Sequence, residues 1–546
     1  MPAAKRTRRR KRTYEFWTDQ IAGKAVNRKK FLYTDERTPK FKEFVVKTSA
    51  SVSGVLHIGR LSDTIRGEAV ARSLLDAGVR AKLIWVAEDM DPMRKIPDGV
   101  PASYAEYIGA PVTDIPDPWG CHKSYAEHHV SKYFETLDDF VGLKMAKFSM
   151  REEYKRGKFN PYIRKLMRSV EELVNIQNKY RRTKLSADAW NPWTPICGNC
   201  GKIITTRVTD FAARKVQYKC MDYAFEKHTA KGCGHEGEND PLKGEGKLMW
   251  KGEWAAQWAR WKVASEGAGK EYQVPGSAFW VNAEICERVL GFPAPVPIFY
   301  EHLIIDGQKM SASIGNVVYP ADWLKRAPAE ALRLLFLKDP MRTRDFKWEI
   351  LPALFDELDD LERVYYGKKK LRDERDAYNA KRLFEIASLK KPAKAYVPKV
   401  AFSTLAELAK TAPRQKRVEF LLKKVKELGL VREVTPQLRK HIAERLAFVD
   451  AAAPAQTVQP QKQRLSDSDK DIVRKLIAAI ERESDAEKLQ SEIFDIARSS
   501  GMKLPDFFRI VYRVLFGTDR GPRLGQYIVD AGRKEIIGKM KAALEN

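Results

Sequence analysis

The residues best suited to chemistry lie in one short stretch, residues 52–60, which reads Val-Ser-Gly-Val-Leu-His-Ile-Gly-Arg. An apolar run at 44–46 precedes it, and apolar residues at helical spacing follow it between 61 and 74. This pattern predicts a tight turn between a buried strand and a helix, where backbone N–H groups favour an anionic ligand. His57 would donate a hydrogen bond to phosphate there. The alternative is a histidine that only caps the helix or packs in the turn.

A second stretch of interest, residues 309–316, reads Lys-Met-Ser-Ala-Ser-Ile-Gly-Asn. Taken alone, it is typical of a surface loop. The separation of the two stretches is too large for a local structural rule to link them.

The cysteines supply a candidate metal site in the middle of the chain. Cys197 and Cys200 flank a Gly-Asn turn, and Cys220 follows after a predicted β-hairpin. The fourth ligand is either Cys233 or His235. Four such ligands favour a closed, tetrahedral, structural Zn²⁺ site, and the alternative is a hairpin with free cysteines.

A second group of possible ligands begins with the sequence Asp-Pro-Trp-Gly-Cys-His. It contains Asp117, Cys121, His122 and His128. Mixed oxygen, sulfur and nitrogen ligands can hold Zn²⁺. From the spacing alone, however, a helix N-terminus with a capping aspartate and packed histidines is the better interpretation.

Alternating strand and helix patterns surround the first stretch and predict an α/β fold. Residues 82–86 read as a second parallel strand, and Asp89 follows at the end where open α/β sheets bind ligands. The alternation is lost over 92–247 and then resumes. Beyond residue 320 the pattern is mostly helical, with a Pro/Gln/Ala linker at 451–464.

Composition limits the partners and the compartment. The 546 residues carry a formal net charge of +27, which suits a polyanion, and a solubilising charged surface is the alternative. No apolar run is long enough for a membrane span, and the basic arm at 5–12 lacks the apolar core of a secretory signal. Six cysteines in such a chain favour metal ligands or free thiols over disulfides, in the cytoplasm.

The two chemical stretches together resemble the HIGH and KMSKS signatures of class I aminoacyl-tRNA synthetases. Nearly the whole chain resembles one family of these enzymes, the class I lysyl-tRNA synthetases, and the least similar region is 371–465. The segments that carry the resemblance are 16–19, 53–59, 89–91, 94–95, 117–128, 197–236, 250–258, 267–270, 300–301, 309–313 and 521–527.

The resemblance implies a Rossmann-type class I catalytic domain with a zinc-binding insertion, followed by an α-helical anticodon-binding region. The expected boundaries are a basic arm and lead helix at 1–40, the two halves of the catalytic domain at 41–91 and 248–319, a connective insertion with the zinc clusters at 92–247, a stem-contact region at 320–370 and an anticodon-binding domain at 371–546.

The resemblance also implies which residues form the sites, with His57 and Lys309 as the catalytic pair. The expected ATP-binding residues are Gly54, His57, Gly59, Lys309, Met310, Ser311 and Ser313, and the expected amino-acid-binding residues are Ser49, Ser51, Asp89, Trp254, Tyr272, Tyr300 and Glu301. Family members bind a second zinc ion in the Asp117 cluster, which reverses the interpretation from spacing. Arg520 and Arg523 flank a Gly-Pro turn and are expected to contact tRNA.

The expected ligands are ATP with Mg²⁺, L-lysine, tRNA(Lys) and one or two structural Zn²⁺ ions, bound by a monomer without membrane contact. The lysine ammonium needs an acidic partner, for which Glu301, Asp89 and Glu253 are equal candidates. Ser49, Ser51 and Tyr272 depart from the residues common in the family and leave substrate identity open. The alternatives are a class I synthetase for another amino acid such as glutamate, a nucleotidylyl transferase that does not act on tRNA, and a non-catalytic zinc-ribbon RNA-binding protein.

Overall fold

The computed structural model describes residues 15–52, 54–97, 99–211, 215–226, 228–310, 316–413, 416–452, 465–516, 519 and 521–545. The predicted basic arm at 5–12 lies outside these ranges. The chain forms two compact units, the first made of residues 1–324, 328–347 and 367–392 and the second of 325–327, 348–366 and 393–546. Within the described residues, no helix is long and apolar enough to cross a membrane.

The strands, in chain order, are β1 Phe44–Ser51, β2 Ala81–Glu88, β3 Met145–Ser149, β4 Trp193–Pro195, β5 Thr206–Asp210, β6 Val216–Cys220, β7 Tyr223–Ala224, β8 Thr229–Ala230, β9 Glu236–Asn239, β10 Gly246–Leu248, β11 Val263–Gly269, β12 Val296–Tyr300, β13 Leu303–Ile305, β14 Gln308–Lys309 and β15 Arg344–Phe346. The α-helices are α1 Trp17–Asn27, α2 Ile58–Asp76, α3 Tyr125–Leu137, α4 Met150–Lys155, α5 Asn160–Arg168, α6 Val170–Asn178, α7 Trp250–Trp261, α8 Ala278–Arg288, α9 Pro320–Arg326, α10 Ala329–Leu337, α11 Leu351–Tyr365, α12 Glu374–Ala387, α13 Phe402–Thr411, α14 Arg417–Glu427, α15 Pro436–Ala452, α16 Asp467–Arg482, α17 Ala486–Ser499, α18 Leu504–Phe516, α19 Leu524–Ala531 and α20 Arg533–Leu544.

A five-stranded parallel sheet forms the core of the first unit, in the order β12-β11-β1-β2-β3. The central strand β1 pairs with β2 along its whole length and with β11 on its other side. Strands buried on both faces need a nearly continuous apolar sequence, which explains the run from Leu83 to Val86 in β2. The predicted α/β fold is therefore confirmed, and its sheet is parallel throughout.

The predicted insertion at 92–247 contributes a strand to this sheet. Residues 145–149 form β3, which pairs parallel to β2 from Leu83↔Met145 to Ala87↔Ser149. The strand lies at the sheet edge and is partly exposed along most of its length. Its mixed sequence, Met-Ala-Lys-Phe-Ser, therefore lacks the apolar run of a central strand.

The segment 367–392 belongs to the first unit, whereas the sequence placed the start of the helical domain at 371. Helix α12 in this segment is bound to α1 and α2 by polar contacts. Arg72 donates to the carbonyl oxygens of Glu385, Ile386 and Ser388, and Arg382 donates to the carboxylate of Asp19. A helical pattern alone does not tell which core a helix joins.

A buried arginine connects the same segment to α2. Arg333 on α10 donates to Glu68 on α2 at 2.6 Å and to the carbonyl oxygens of Phe140, Ile386 and Ala387. The side chains of Arg333 and Glu68 are both fully buried. Burying a charge is costly unless it is paired and hydrogen-bonded, so Arg333 and Glu68 need each other.

The second unit is helical and has its own apolar core. The core contains Leu421, Ile442, Ile480, Ile493 and Phe507, contributed by helices α14 to α18. Helix α16 begins with a capping box, in which Ser466 accepts from the backbone N–H of Asp469 at 3.2 Å. Ser466 is thus the N-cap of α16. The predicted linker overlaps residues 453–464, which lie outside the described ranges.

Replacing Arg333 by Met should lower the free energy of unfolding of the first unit by about 3–5 kcal/mol, because Glu68 would remain buried without its main partner. Urea unfolding followed by tryptophan fluorescence measures this unit, since every tryptophan except Trp348 lies in it. The control is Arg156→Met, which breaks an exposed pair with Glu152 and should cost less than about 0.5 kcal/mol. Equal stability of the wild type and Arg333→Met would contradict the proposed role of the pair.

Candidate active site

The carboxyl ends of β1, β2, β11 and β12 border a cavity of about 710 Å³. Open parallel sheets bind ligands at this edge. Of the residues predicted from the sequence, those in its wall are Ser49, Ser51, His57, Gly59, Trp254, Tyr272, Tyr300, Glu301, Lys309 and Met310. The candidate phosphate-binding and amino-acid-binding residues therefore share one cavity.

His57 is the N-cap of α2. Its Nδ1 accepts a hydrogen bond from the backbone N–H of Gly59 at 3.1 Å, so the neutral ring carries its proton on Nε2. Burial, together with the nearby charges of Arg60 and Lys309, lowers the pKa of His57 to about 4. At neutral pH His57 is an uncharged donor at a helix N-terminus, where an anion is favoured.

The two chemical stretches predicted from the sequence meet at Gly59. A Cβ atom added to Gly59 would lie 2.7 Å from Cε of Met310 and 2.8 Å from the ring of His57. The backbone N–H of Ile58 also donates to the carbonyl oxygen of Val318 at 3.0 Å. A side chain at position 59 would displace the methyl group of Met310 and the ring of His57, so the close approach of the two stretches favours glycine there.

Lys309 lies on the short hairpin of β13 and β14, where it pairs with Ile304. Its side chain is exposed, and it lies close enough to His57 to affect the pKa of that residue. Ser311 and Ser313, which were also predicted to bind ATP, lie outside the described residues. Gly54 is described, but it is outside the cavity wall and faces the hydroxyl of Tyr125.

Two serines of β1 form hydrogen bonds with carboxylates of the cavity wall. The backbone N–H of Ser49 donates to Asp63 at 3.2 Å, and the hydroxyl of Ser51 donates to Asp91 at 2.8 Å. Asp91 also pairs with Lys247 at 3.2 Å. Burial is the main factor that raises the pKa of Asp63 to about 6.

Beneath the cavity, a buried lysine joins three strands and a helix. The Nζ of Lys47 on β1 lies 2.7 Å from Glu266 on β11 and 3.6 Å from Glu88 on β2. Glu266 also accepts from the indole N–H groups of Trp254 and Trp258 on α7. Burial raises the pKa of Glu88 to about 8, against the opposing effect of Lys47. We refer to Lys47, Glu88, Glu266, Trp254 and Trp258 as the buried lysine network.

Sequence reasoning missed the charged members of this network, although a signal was present. Lys47 interrupts the apolar start of β1, and Glu266 interrupts β11. A charged residue inside a central strand is rarely buried without a partner. Two such interruptions in neighbouring strands indicate an ion pair within the sheet.

Aromatic rings form one side of the cavity. Trp250 stacks on Trp254 with ring centroids 4.8 Å apart, and Tyr272 meets Trp254 edge-on at 5.2 Å. Tyr300 lies under the guanidinium of Arg66 at 4.6 Å. The hydrogen bond from Trp254 to Glu266 fixes the orientation of the indole, so this side is preorganised.

Three predicted acidic partners do not offer a free carboxylate to the cavity. Asp89 is outside the wall, where it accepts from the backbone N–H of Arg151 at 3.0 Å. Glu253 is also outside it, bonded to the hydroxyl of Tyr154 and paired with Lys247. Glu301 is in the wall, but it pairs with Lys270 at 2.9 Å. The carboxylate of Asp89 thus holds the start of α4.

The structure brings four thiols together in the insertion. The sulfur of Cys197 lies 3.6 Å from that of Cys233, and the sulfur of Cys200 lies 3.7 Å from that of Cys220. All four sulfurs lie within 4.8 Å of one another, and His235 is not among them. A tetrahedral ion with metal–sulfur bonds of about 2.3 Å needs sulfurs about 3.8 Å apart. The four-thiol cluster matches this spacing, so Cys233 rather than His235 is the fourth ligand candidate.

The second predicted cluster is also compact. Asp117, Cys121, His122 and His128 each place a ligand atom within 4.8 Å of the others. The sulfur of Cys121 lies 3.1 Å from Nδ1 of each histidine. The carboxylate of Asp117 accepts backbone N–H groups of Cys121 and His122, which shapes the turn around it. This geometry differs from the packed histidines that the spacing alone suggested.

The predicted tRNA contacts lie in the second unit. Arg523 is largely exposed and pairs with Glu487. Arg520 lies outside the described residues. Phe507 and Tyr527, two aromatic residues of this unit, are buried in its core and do not offer a ring to RNA.

A phosphate-binding turn with a histidine donor, brought against a lysine-bearing hairpin at the edge of a parallel sheet, is the arrangement of a class I aminoacyl-tRNA synthetase. Residues 15–390 match the family model described as tRNA synthetases class I (K), and residues 404–544 match an anticodon binding domain. The chain belongs to this class I (K) family of tRNA synthetases.

Relatives cover the chain almost completely. The chain is 33% identical to the lysine–tRNA ligase of Cenarchaeum symbiosum, in an alignment that covers 97% of this chain and 98% of the relative. It is 30% identical to the lysine–tRNA ligase of Methanocaldococcus jannaschii, over 95% of this chain and 98% of the relative. Both units of the structure therefore have counterparts in these relatives.

The lowered pKa of His57 can be tested by NMR of the protein labelled with ¹³C at histidine Cε1. We expect the His57 signal, assigned by its loss in His57→Asn, to stay unchanged from about pH 8 to about pH 5.5, because the ring remains neutral above its pKa of about 4. A titration of this signal with a midpoint between about pH 6 and 7 would show that His57 is not desolvated as described.

Proposed function

We propose that this protein attaches L-lysine to tRNA(Lys) at the expense of ATP. A lysine carboxylate oxygen attacks the α-phosphate of ATP and pyrophosphate leaves, which gives lysyl-adenylate. The 2′-hydroxyl of the terminal adenosine of tRNA then attacks the adenylate, and AMP leaves. The observation that carries this proposal is the near full-length likeness to relatives named lysine–tRNA ligase.

His57 and Lys309 are assigned to the first step. In-line displacement at phosphorus depends on positioning and on stabilisation of developing negative charge. The neutral His57 donates from Nε2 to a phosphate oxygen at the N-terminus of α2, where the helix dipole favours negative charge. Lys309 places a positive charge on the triphosphate from the opposite hairpin. Mg²⁺ bound with ATP neutralises the leaving pyrophosphate.

The charge of the cavity favours a cationic amino acid. Its wall contains the acidic side chains of Asp63, Glu88, Asp91, Glu266, Glu271 and Glu301 and the basic side chains of Arg60, Arg94, Lys247 and Lys309. Arg60 and Lys309 lie near His57, on the side assigned to the phosphates. In the rest of the wall the acidic side chains outnumber the basic ones, even with the buried Lys47 included. A substrate with two ammonium groups reduces this excess, whereas the side-chain carboxylate of glutamate would add to it. The cavity thus favours lysine over glutamate, the main alternative substrate.

Within the cavity, Trp254 and Tyr272 are suited to cover the aliphatic stem of lysine. Glu88 is the best-placed partner for the side-chain ammonium, since its Oε1 is buried without a hydrogen bond and lies 3.6 Å from Lys47. The approach of an ammonium group would lower the raised pKa of Glu88 and so ionise it. Glu266 is less suited, because both its oxygens already accept hydrogen bonds.

The remaining assignments concern tRNA and assembly. Residues 404–544 match an anticodon binding domain, and we assign anticodon recognition to this part of the chain, with Arg520 and Arg523 as candidate RNA contacts. We assign residues 320–370 to contacts with the tRNA stem. The reaction serves translation, so we place it in the cytoplasm, carried out by a monomer.

The metal in both clusters is proposed to be Zn²⁺ with a structural role. Four thiolates, or thiolate with imidazole and carboxylate, are ligand sets that Zn²⁺ prefers, and small insertions depend on such ions for stability. One ion would be held by the four thiols of Cys197, Cys200, Cys220 and Cys233. The other would be held by Asp117, Cys121, His122 and His128.

Replacing His57 or Lys309 by Ala should slow lysine-dependent ATP–pyrophosphate exchange by about 10²-fold or more, with a smaller change in the KM for lysine. The physical reason is the loss of charge stabilisation at the α-phosphate. His235→Ala is the matched control and should leave exchange unchanged, because His235 lies outside both the cavity wall and the four-thiol cluster. Wild-type exchange in both active-site variants would overturn their assignment.

Purified protein should contain two zinc ions per chain by elemental analysis. Cys220→Ala should remove one ion and His128→Ala the other. The control Cys286→Ala should retain both, since this buried cysteine belongs to neither cluster. If Cys220→Ala retains all of its zinc, the four-thiol site is ruled out. If the wild-type protein contains only one zinc ion per chain, the second metal site is ruled out.

A further inference from the structure

Trp119 is an exposed aromatic side chain in a rigid setting. Its surface is 45% exposed, yet its ring stacks on His128 with centroids 4.2 Å apart and an interplanar angle of 26°. The ring of His129 meets the Trp119 ring edge-on, with centroids 5.6 Å apart. The backbone N–H of Trp119 donates a hydrogen bond to Asp117. An apolar ring of this size is normally buried, and here it is held in place while exposed.

The position of Trp119 connects it to the active site. Tyr125 lies parallel to Trp119 at 6.3 Å, and its hydroxyl lies 3.8 Å from the position of a Cβ atom on Gly54, within the phosphate-binding turn. The backbone also links the two regions, since the N–H of Val112 donates to Asp91 in the cavity wall and the N–H of Ala126 donates to Val112. Trp119 is therefore separated from the turn by one side chain.

Exposed cations lie on the same segments. Arg94 is in the cavity wall, Lys95 follows it, and Lys123 belongs to the turn that contains Trp119. An exposed aromatic ring with cations nearby is a combination that binds single-stranded RNA, because bases stack on the ring and the cations contact the phosphates. The single-stranded 3′ end is the part of tRNA that must reach the cavity.

We propose that Trp119 stacks on a base of the single-stranded 3′ end of tRNA, next to the terminal adenosine that enters the cavity. This inference rests on the proposed function. Because His128 and Asp117 already fix the ring, little side-chain entropy is lost on binding, which favours such a stacking surface. The second metal cluster would then position an RNA contact as well as stabilise the insertion.

The test compares the dissociation constants of intact tRNA(Lys) and of the same tRNA without its last three nucleotides. We expect Trp119→Ala and Trp119→Leu to weaken binding of intact tRNA by about 10-fold or more and binding of the shortened tRNA by less than about 2-fold. Trp119→Phe should retain most of the affinity, because it keeps an aromatic face. Tyr180→Ala removes a similarly exposed aromatic elsewhere and should leave both constants unchanged.

Each outcome has a distinct meaning. Equal loss on both RNAs, or no loss in Trp119→Leu, would overturn the stacking proposal, since Leu fills the site on His128 without offering a ring. The zinc content of each variant, compared with the wild type, shows whether the cluster has been retained. If the wild-type protein neither binds nor charges tRNA(Lys), the proposed function itself fails, which is a different result.

Discussion

The active site depends on the burial of Lys47 in the centre of the parallel sheet. A buried charge must be paired, and Lys47 finds its partners in Glu266 and Glu88 on the two adjoining strands. Glu266 in turn orients Trp254, which faces the cavity. The register of β1 with β2 and β11, the position of α7 and the shape of the amino-acid pocket are thus coupled through one ammonium group.

The second constraint concerns the turn that contains His57. Helix α2 must present its N-terminus to the cavity, and it is held there by segments that lie far from it in the sequence. The hairpin of β13 and β14 brings Met310 against Gly59, while Arg333 and the returning helix α12 bind the far side of α2. Segments distant in sequence therefore determine where His57 lies, which explains why the first unit is assembled from three separate pieces of chain.

Features with a local sequence signal could be predicted, and features that depend on tertiary pairing could not. The strand–turn–helix around His57, the paired cysteines and the cap at Ser466 follow from short-range rules about spacing and capping. The strand β3 was missed because an edge strand needs no apolar run, and the contact of Asp89 with the start of α4 could not be predicted because spacing does not reveal which way a carboxylate points. The spacing also left open whether Cys233 or His235 is the fourth ligand, because only the folded structure shows that Cys233 lies beside the other three thiols.

The central claim is that the acidic, aromatic-lined cavity activates lysine. The most direct test is ATP–pyrophosphate exchange measured separately with each of the standard amino acids at equal concentration. We predict that lysine supports rapid exchange, that glutamate supports none above background, and that Glu88→Gln raises the KM for lysine. Exchange that is fastest with another amino acid, or that is absent with lysine, would contradict the account.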